Sequence, residues 1–385
     1  MPSGLLFRWV TGGDRMCVTD SEWGDRNMVT FGIEEEYFLV DPVSLQPVSL
    51  AETVLAELPP DTSREVTHEF LDSELERATA VFTQLDQAEA DLVRCRVEIA
   101  AVAGRHGAFP AGTGTPFDAV APTVTETSRY RELGSQARGL LQDHQICATQ
   151  VHVGVPSRDA GVHALNSIRV WLPTLMALTG NSPFWRGRDT GFASWRAVIM
   201  RRWATTGCPP VFTDAADYDR RLHRLVGVGG TIDTATVAWF ARLSERYPTV
   251  EVRVADAQLD LPPTLLLTAL ARALVTTGLA EADRGAPVPG MEPELLDAAL
   301  WHASRDGIRG QLVDPQSGEL APAWMVTDAL LRHVSDALDD AGDRPRVVEL
   351  LDRLWQDGTG AEAQQRAFQA SGKAGLLNLY ERSFA

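Results

Sequence analysis

The sequence predicts an α+β domain. Three observations predict it: short runs in which apolar and polar residues alternate with period two, longer runs with apolar residues at helical spacing between them, and no internal repeat, low-complexity tract or obvious linker to divide the 385 residues.

Taken in order, residues 29–40 form a strand-like run that stops at Asp41-Pro42, and residues 66–70 supply a second candidate strand. Residues 85–106 place apolar side chains at helical spacing among Glu, Asp and Arg until Gly107 and Pro110 end the pattern. The turn-rich loop Ala111-Gly112-Thr113-Gly114-Thr115-Pro116 precedes an alternating strand at 150–155, closed by Pro156, and helical periodicity resumes over 159–178. Residues 181–210, rich in Gly, Pro, Trp and Arg, suit a long ordered loop. Another alternating strand spans 250–254, and after the Pro262-Pro263 break a helix is expected over 264–277, with Gly278 as its end. From Glu292 onward the chain reads as helices separated by Gly-containing turns.

At 44% apolar and 23% charged residues the composition is that of a globular protein with ample material for a core. A net charge of −17 opposes binding to phosphate backbones and anionic membrane surfaces, so neither nucleic acid nor membrane is an expected partner; ATP stays compatible if divalent metals reverse the local sign. Cys17, Cys95, Cys147 and Cys208 are scattered without a CxxC pair, which speaks against a disulfide framework or a structural zinc and for a reducing, cytoplasmic compartment. Arg272 interrupts the apolar stretch near residues 265–274, so no run reaches the roughly 18–20 residues of a bilayer span. Residues 1–27 are charged and lack an apolar core of signal length, so they read as a disordered or untranslated extension, with Met28 as the expected start of a domain over 28–385.

The chemistry sits in four short segments. In Gly32-Ile33-Glu34-Glu35-Glu36, strand alternation puts Glu34 and Glu36 on one face and Glu35 on the other with Ile33 and Tyr37. Two carboxylates on one face repel, and burying them calls for a cation; an exposed edge strand with solvated glutamates fits the same pattern. Glu251 and Arg253 share a face opposite Val250, Val252 and Val254, as a catalytic pair or as an ion pair on a solvated face. His152 alternates with Val151 and Val153 beside Gly154, where the missing side chain leaves room for a ligand; a structural histidine is the alternative. Glu69 and Glu76 lie seven residues apart, a spacing that shares a face on a helix and straddles an uninterrupted strand, so co-facing requires a helix or a bulge. Oxygen donors with at most one imidazole suit Mg²⁺ or Mn²⁺, the ions that clamp nucleotide phosphates, and no Walker A or dinucleotide glycine motif competes.

In this order, Gly-Ile-Glu-Glu-Glu, His68-Glu69-Phe70 with Glu76 seven residues beyond Glu69, Gly112-Thr113 with Pro116-Phe117 after two intervening residues, Val151-His152-Val153-Gly154 and Val250-Glu251-Val252-Arg253-Val254 resemble the carboxylate–amine ligases of the glutamate–cysteine ligase 2 family. Leu178 to Trp185, Asp189 to Arg196 and Gly358-Thr359-Gly360-Ala361 extend the match from about Met28 to the C-terminus. The resemblance implies a glutamine-synthetase-like fold, a curved, mainly antiparallel sheet with helices packed on one side and ATP and divalent metals held on its concave face. Carried over by residue, Glu34, Glu36, Glu69, Glu76, His152 and Glu251 are the expected metal ligands, Arg253 the phosphate-neutralising cation, and a strand with a bulge the expected setting of Glu69 and Glu76. Arg196 and Arg202 are then candidates to grip a substrate carboxylate, with loop-anchoring ion pairs as the alternative. The family's apolar residue after the second acidic ligand is Arg77 in this chain.

The implied reaction is ATP-dependent amide formation through an acyl phosphate from a small carboxylate and a small amine, with glutamate and cysteine the pair in the family name. A metal-dependent hydrolase built on the same cluster and a catalytically silent nucleotide binder are the rival readings. Trp185, Trp195 and Trp203 are candidates to shape a pocket for a bulkier partner or to anchor the loop, and a homo-oligomer is compatible with the chain.

Overall fold

A computed structural model describes residues 29–384. The expected N-terminal extension, the start at Met28 and Cys17 lie outside them. The strands are β1 Phe31–Val40, β2 Val66–His68, β3 Glu74–Ala78, β4 Phe109–Ala111, β5 Ala148–Gly154, β6 Phe184–Trp185, β7 Arg188–Asp189, β8 Ala241–Leu243, β9 Thr249–Asp256, β10 Gln311–Val313 and β11 Leu320–Pro322. The helices are α1 Ala51–Glu57, α2 Leu85–Arg105, α3 Ser128–Ala137, α4 Arg158–Ile168, α5 Leu172–Leu178, α6 Trp195–Met200, α7 Ala215–Gly227, α8 Leu261–Asp283, α9 Pro293–Asp306, α10 Ala323–His333, α11 Ser335–Asp340, α12 Arg344–Asp357 and α13 Gly360–Ser383.

One seven-stranded sheet runs β2-β3-β1-β5-β9-β8, with β4 beside the end of β1, and every pairing in it is antiparallel. The α+β class expected from the sequence is therefore the one observed. Alternation works as expected in the central strands: Ile33, Val151, Val153, Val250, Val252 and Val254 are buried in the main core with α4 and α8. Burying such a face supplies most of the driving force for the sheet to seat on its helices, at roughly 25 cal/mol per Å² of apolar surface. The other face is not wholly bare. Phe38 and Val40, in line with Glu34 and Glu36, pack against Leu376 and Tyr380 of α13, so a helix closes that end of the face and bounds the site.

α8 differs from expectation in two respects. It continues five residues beyond Gly278, because that glycine serves contact rather than termination: a Cβ there would lie 3.0 Å from Cβ of Ser167 and 3.1 Å from Cα of Ala164, on the helix α4 packed against it. Pro262 and Pro263 occupy its first turn, where a missing N–H costs nothing. By length and composition α8 would also span a bilayer, contrary to the sequence reading, and it is largely buried within the protein. The 181–210 loop is more structured than expected, holding the β6-β7 hairpin and α6.

Candidate active site

Strand register assembles the site. Glu36 of β1 sits opposite Glu76 of β3, Glu34 opposite Gln150 of β5, His152 opposite Glu251 of β9, and Glu251 opposite Arg242 of β8. Residues directly opposite in a ladder share a face, so five strands spaced widely in sequence present one continuous polar row. All nine residues singled out from the sequence, Glu34, Glu36, Glu69, Glu76, His152, Arg196, Arg202, Glu251 and Arg253, line one cavity of about 540 Å³ above that row.

Glu35, by contrast, points into the core, 1% exposed. It pairs with Arg96 (Nη2 to Oε1 2.5 Å, Nε to Oε2 3.1 Å) and accepts from Thr264 Oγ1 at 3.0 Å and from the Tyr37 hydroxyl. Burial alone would raise its pKa, and the Arg96 guanidinium reverses that and holds it below the usual value. Arg77 lies opposite Glu35 on the same core side, fully buried and paired with Asp91 and, at 3.4 Å, with Glu65. The departure at this position thus falls away from the cavity.

Glu69 and Glu76 come together by neither a helix nor a bulge. β2 ends at His68, Glu69 follows it into the connection, and β3 brings Glu76 back antiparallel, so a hairpin accounts for the spacing. Gly154 leaves no ligand space either: a Cβ there would meet Thr30 Oγ1 at 2.5 Å, so the glycine admits the chain before β1.

The cavity is electrically polarised. At the β3 end, burial and then the charge of Glu36 push the Glu69 carboxyl up to about 8; burial also raises Glu36, Glu74 and Glu76, with neighbouring glutamates adding to the effect at the last two. Glu36 is anchored by the Ala148 amide and the Gln150 Nε2, each at 2.7 Å. At the β8-β9 end, burial would raise Glu251, yet Arg242 and Arg253, which donate to it at 2.8 Å and 2.5 Å respectively, hold it far below the ordinary range. His152 sits between the ends, its Nε2 3.3 Å from Glu34 and its Nδ1 3.1 Å from Thr249 Oγ1; burial opposes its protonation, and Glu34 and Glu251 outweigh burial and raise its pKa.

Arg196 is 2% exposed and directs its guanidinium to the carbonyls of Arg253 (3.1 Å) and Val254 (3.4 Å), with Asp256 at 3.9 Å. Arg202 is held by Asp143 (Nη1 to Oδ2 3.2 Å, Nη2 to the carbonyl 2.7 Å). Of the three loop tryptophans only Trp203 lines the cavity; Trp195 packs edge-on to Phe192 with centroids 5.3 Å apart.

Sequence reasoning missed three residues. Glu74, 2% exposed and lining the cavity, has an Oε1 without a hydrogen-bond partner, and its i, i+2 relation to Glu76 was the available signal. Gln150 stands in the same relation to His152. Arg242 carried no signal, since a lone arginine in a three-residue strand acquires meaning only through its register with Glu251.

As a donor set, the β3 end offers carboxylate oxygens crowded against one another, one of them unpartnered, which suits a hard divalent cation. Among the described residues no three His, Cys, Asp or Glu side chains are already arranged around a single point.

Comparison with known proteins agrees with this geometry. The profile of glutamate–cysteine ligase family 2 matches residues 30–380. The glutamate–cysteine ligase 2-2 homologue of Saccharopolyspora erythraea is 41% identical over 352 residues, covering 90% of each chain, and the corresponding protein of Salinispora tropica is 38% identical over 349 residues, covering 90% of this chain and 92% of its own. Among solved structures, glutamate–cysteine ligase from Francisella tularensis in complex with AMP superposes with a TM-score of 0.64 at 14% identity, over 93% of this chain and 88% of that one. The bifunctional glutathione synthetase of Pasteurella multocida gives 0.68 at 15% identity, over 93% of this chain and 52% of that one. The fold is shared with these ligases, and with a family profile spanning nearly the whole described chain, the protein belongs to glutamate–cysteine ligase family 2.

Proposed function

We propose that this chain, acting over residues 28–385 as one ligase domain, uses ATP to join a small carboxylate to a small amine through an acyl phosphate. One observation carries the reading: a row of buried carboxylates and one imidazole across four hydrogen-bonded strands, ending in two arginines clamped on Glu251. A carboxylate does not react with an amine until its oxygen becomes a leaving group. Transfer of the γ-phosphoryl group of ATP to that oxygen gives ADP and an acyl phosphate; attack by the amine nitrogen then expels phosphate, and the nitrogen loses a proton.

Arg253 and Arg242 are placed to offset charge on the transferring group, and Glu251 fixes both guanidiniums before substrate arrives, so that little reorganisation remains at the moment of reaction. Glu34, Glu36, Glu69, Glu76, His152 and Glu251 would hold Mg²⁺ or Mn²⁺, which when bound would supply positive charge to offset that of the nucleotide phosphates. Glu36, anchored by an amide and an amide side chain, holds its position without the ion. Arg196 and Arg202 reach a substrate carboxylate only by exchanging their present carbonyl and Asp143 partners. Glutamate and cysteine are the substrate pair that the relatives' names support. Cys95, Cys147 and Cys208 are free thiols, in keeping with a cytoplasmic setting.

The test is ADP release from ATP, Mg²⁺, a carboxylate panel and an amine panel, with mass spectrometry of the product. Release only when both substrates are present, lost on chelation and restored by Mg²⁺, is the expected result. Hydrolysis that proceeds without nucleotide, or nucleotide binding without turnover under every pairing, refutes the proposal.

A further inference from the structure

Asp256 closes β9 at 1% exposure, does not line the cavity, and takes no part in the reaction as described so far. Its Oδ2 accepts from the Asn181 amide at 2.8 Å and the Ser182 hydroxyl at 2.7 Å, and its Oδ1 accepts from the Ser194 hydroxyl at 2.8 Å. Both serines pass the connection on to α6. Ser182 Oγ accepts from the Arg196 amide at 3.0 Å, and Ser194 Oγ accepts from the Ala197 amide at 3.3 Å. The Arg196 guanidinium lies 3.9 Å from Asp256 Oδ1, so a buried carboxylate and a buried guanidinium compensate one another. Gly114 packs its backbone on the same carboxylate, where a Cβ would come within 2.6 Å of Cγ.

The same network reaches the C-terminal helix. Gln364 of α13 donates through Nε2 to Oδ1 and the carbonyl of Asn181 at 2.7 and 3.0 Å and accepts from the Tyr380 hydroxyl at 3.0 Å. Asn181 in turn donates to the carbonyls of Gly112 (2.8 Å) and Ala257 (2.6 Å), and a Cβ on Gly360 would overlap its Oδ1. The sequence blocks at 112–117, 178–185, 189–196 and 358–361 thus converge on the end of β9, and a satisfied buried polar network of this kind fixes one arrangement of the segments it joins.

Arg196 carries the connection to Arg253. Among the described residues every hydrogen bond of its side chain goes to the β9 backbone, to the carbonyls of Arg253 at 3.1 Å and Val254 at 3.4 Å, and its buried Nε has no partner. An arginine that grips a substrate carboxylate offers it a free fork, whereas this fork is spent on the strand beside it. Arg253 is consequently held at both ends, its carbonyl by Arg196 and its guanidinium by Glu251 at 2.5 Å. We infer that Arg196 and Asp256 are positioning residues for Arg253: they set the β9 backbone so that the Arg253 guanidinium meets the transferring phosphoryl group in one fixed place, and Arg196 does not bind the substrate carboxylate. The inference rests on the ligase reading for the role of Arg253.

The experiment compares Arg196→Lys and Asp256→Asn with the wild-type full chain in two readouts. The first is kcat and the KM for glutamate, or for whichever carboxylate the panel shows to be turned over, from ADP release at saturating ATP, Mg²⁺ and amine. The second is amide hydrogen exchange of β9 without substrates, with α8 as the internal reference. Lysine cannot reproduce the fork that spans two carbonyls, and Asp256→Asn keeps the size and the three hydrogen bonds, its amide turned to Ser194, while removing the charge that faces Arg196. In both variants kcat is expected to fall at least about tenfold, the scale of one hydrogen bond to a charged group, with KM within about twofold, and exchange in β9 is expected to rise at least about tenfold with α8 unchanged. Ser182→Ala, which removes the hydroxyl between the Arg196 amide and Asp256, takes the place of Asp256→Asn if that variant loses its melting transition. An Arg196→Lys protein whose KM rises tenfold or more at unchanged kcat overturns the inference, because Arg196 then grips the substrate. So does wild-type exchange across β9 in both variants, or wild-type kcat in Asp256→Asn. Absence of ADP release by the wild type with every substrate pair strikes the ligase reading itself, and the exchange readout then still decides whether Arg196 and Asp256 hold β9.

Discussion

The glutamates of the Gly32 to Glu36 segment should separate stability from activity by the face each one occupies. Glu35→Gln removes the charge opposite Arg96, which is itself 2% exposed and donates to Glu35 through Nε and Nη2 and to the carbonyls of Leu259 (2.8 Å) and Gln258 (3.1 Å). Breaking one side of a buried ion pair costs about 3–5 kcal/mol, and because Gln keeps one acceptor oxygen for Arg96 or Thr264, the lower figure of about 3 kcal/mol applies. For 385 residues the unfolding entropy at the midpoint is about 0.8 kcal/mol/K, so Tm should fall by about 4 °C. Glu34→Gln removes a carboxylate from a crowded acidic row and should move Tm by less than about 1 °C while abolishing ADP release. Both are measured by differential scanning calorimetry and a coupled ADP assay on the same preparations. A Glu35→Gln protein with wild-type Tm, or a Glu34→Gln protein that melts as early as Glu35→Gln and turns over normally, refutes the assignment of faces.

Glu251→Gln frees Arg242 and Arg253 from their shared anchor; turnover should drop at least about 100-fold with the far-ultraviolet spectrum unchanged, Tm should fall by about as much as in Glu35→Gln because Glu251 is also buried and ion-paired, and near-normal ADP release would contradict the role given to Glu251. Because Glu35 titrates below its ordinary 4.5 in the folded state, its stabilisation is fully present above that value and lost as pH falls through the folded pKa. The Tm gap between wild type and Glu35→Gln should therefore be widest near neutrality and narrow as the pH falls below 4.5, and a gap that widens on acidification would reverse the sign of the argument. Gly278→Leu forces a side chain into the α4-α8 contact and should cost about 1–3 kcal/mol, read as a lowered denaturation midpoint; a stabilised variant would show that the close approach does not constrain the helix.

How much was legible beforehand follows from the range over which each signal acts. Strand alternation is a property of consecutive residues, so the sequence by itself placed Glu34 and Glu36 on one face, Glu35 on the other, and Glu251 with Arg253 opposite a valine face; the same local rule would have found Glu74 and Gln150. The order of short motifs carried the family. What only the tertiary structure decided is register: that Glu36 meets Glu76, and that His152 meets Glu251 and Glu251 meets Arg242, depends on hydrogen-bond ladders between segments up to about a hundred residues apart, which no local period encodes. The same holds for the hairpin that unites Glu69 with Glu76, for Thr30 filling the space beside Gly154, and for Gly278 continuing α8, because a glycine that ends a helix and one that admits a neighbouring helix look alike until the neighbour is in place. The polarity of the cavity, carboxylates at one end and arginines at the other, arises from the same long-range pairing, since burial and the charge of spatial neighbours set the ionisation of each group.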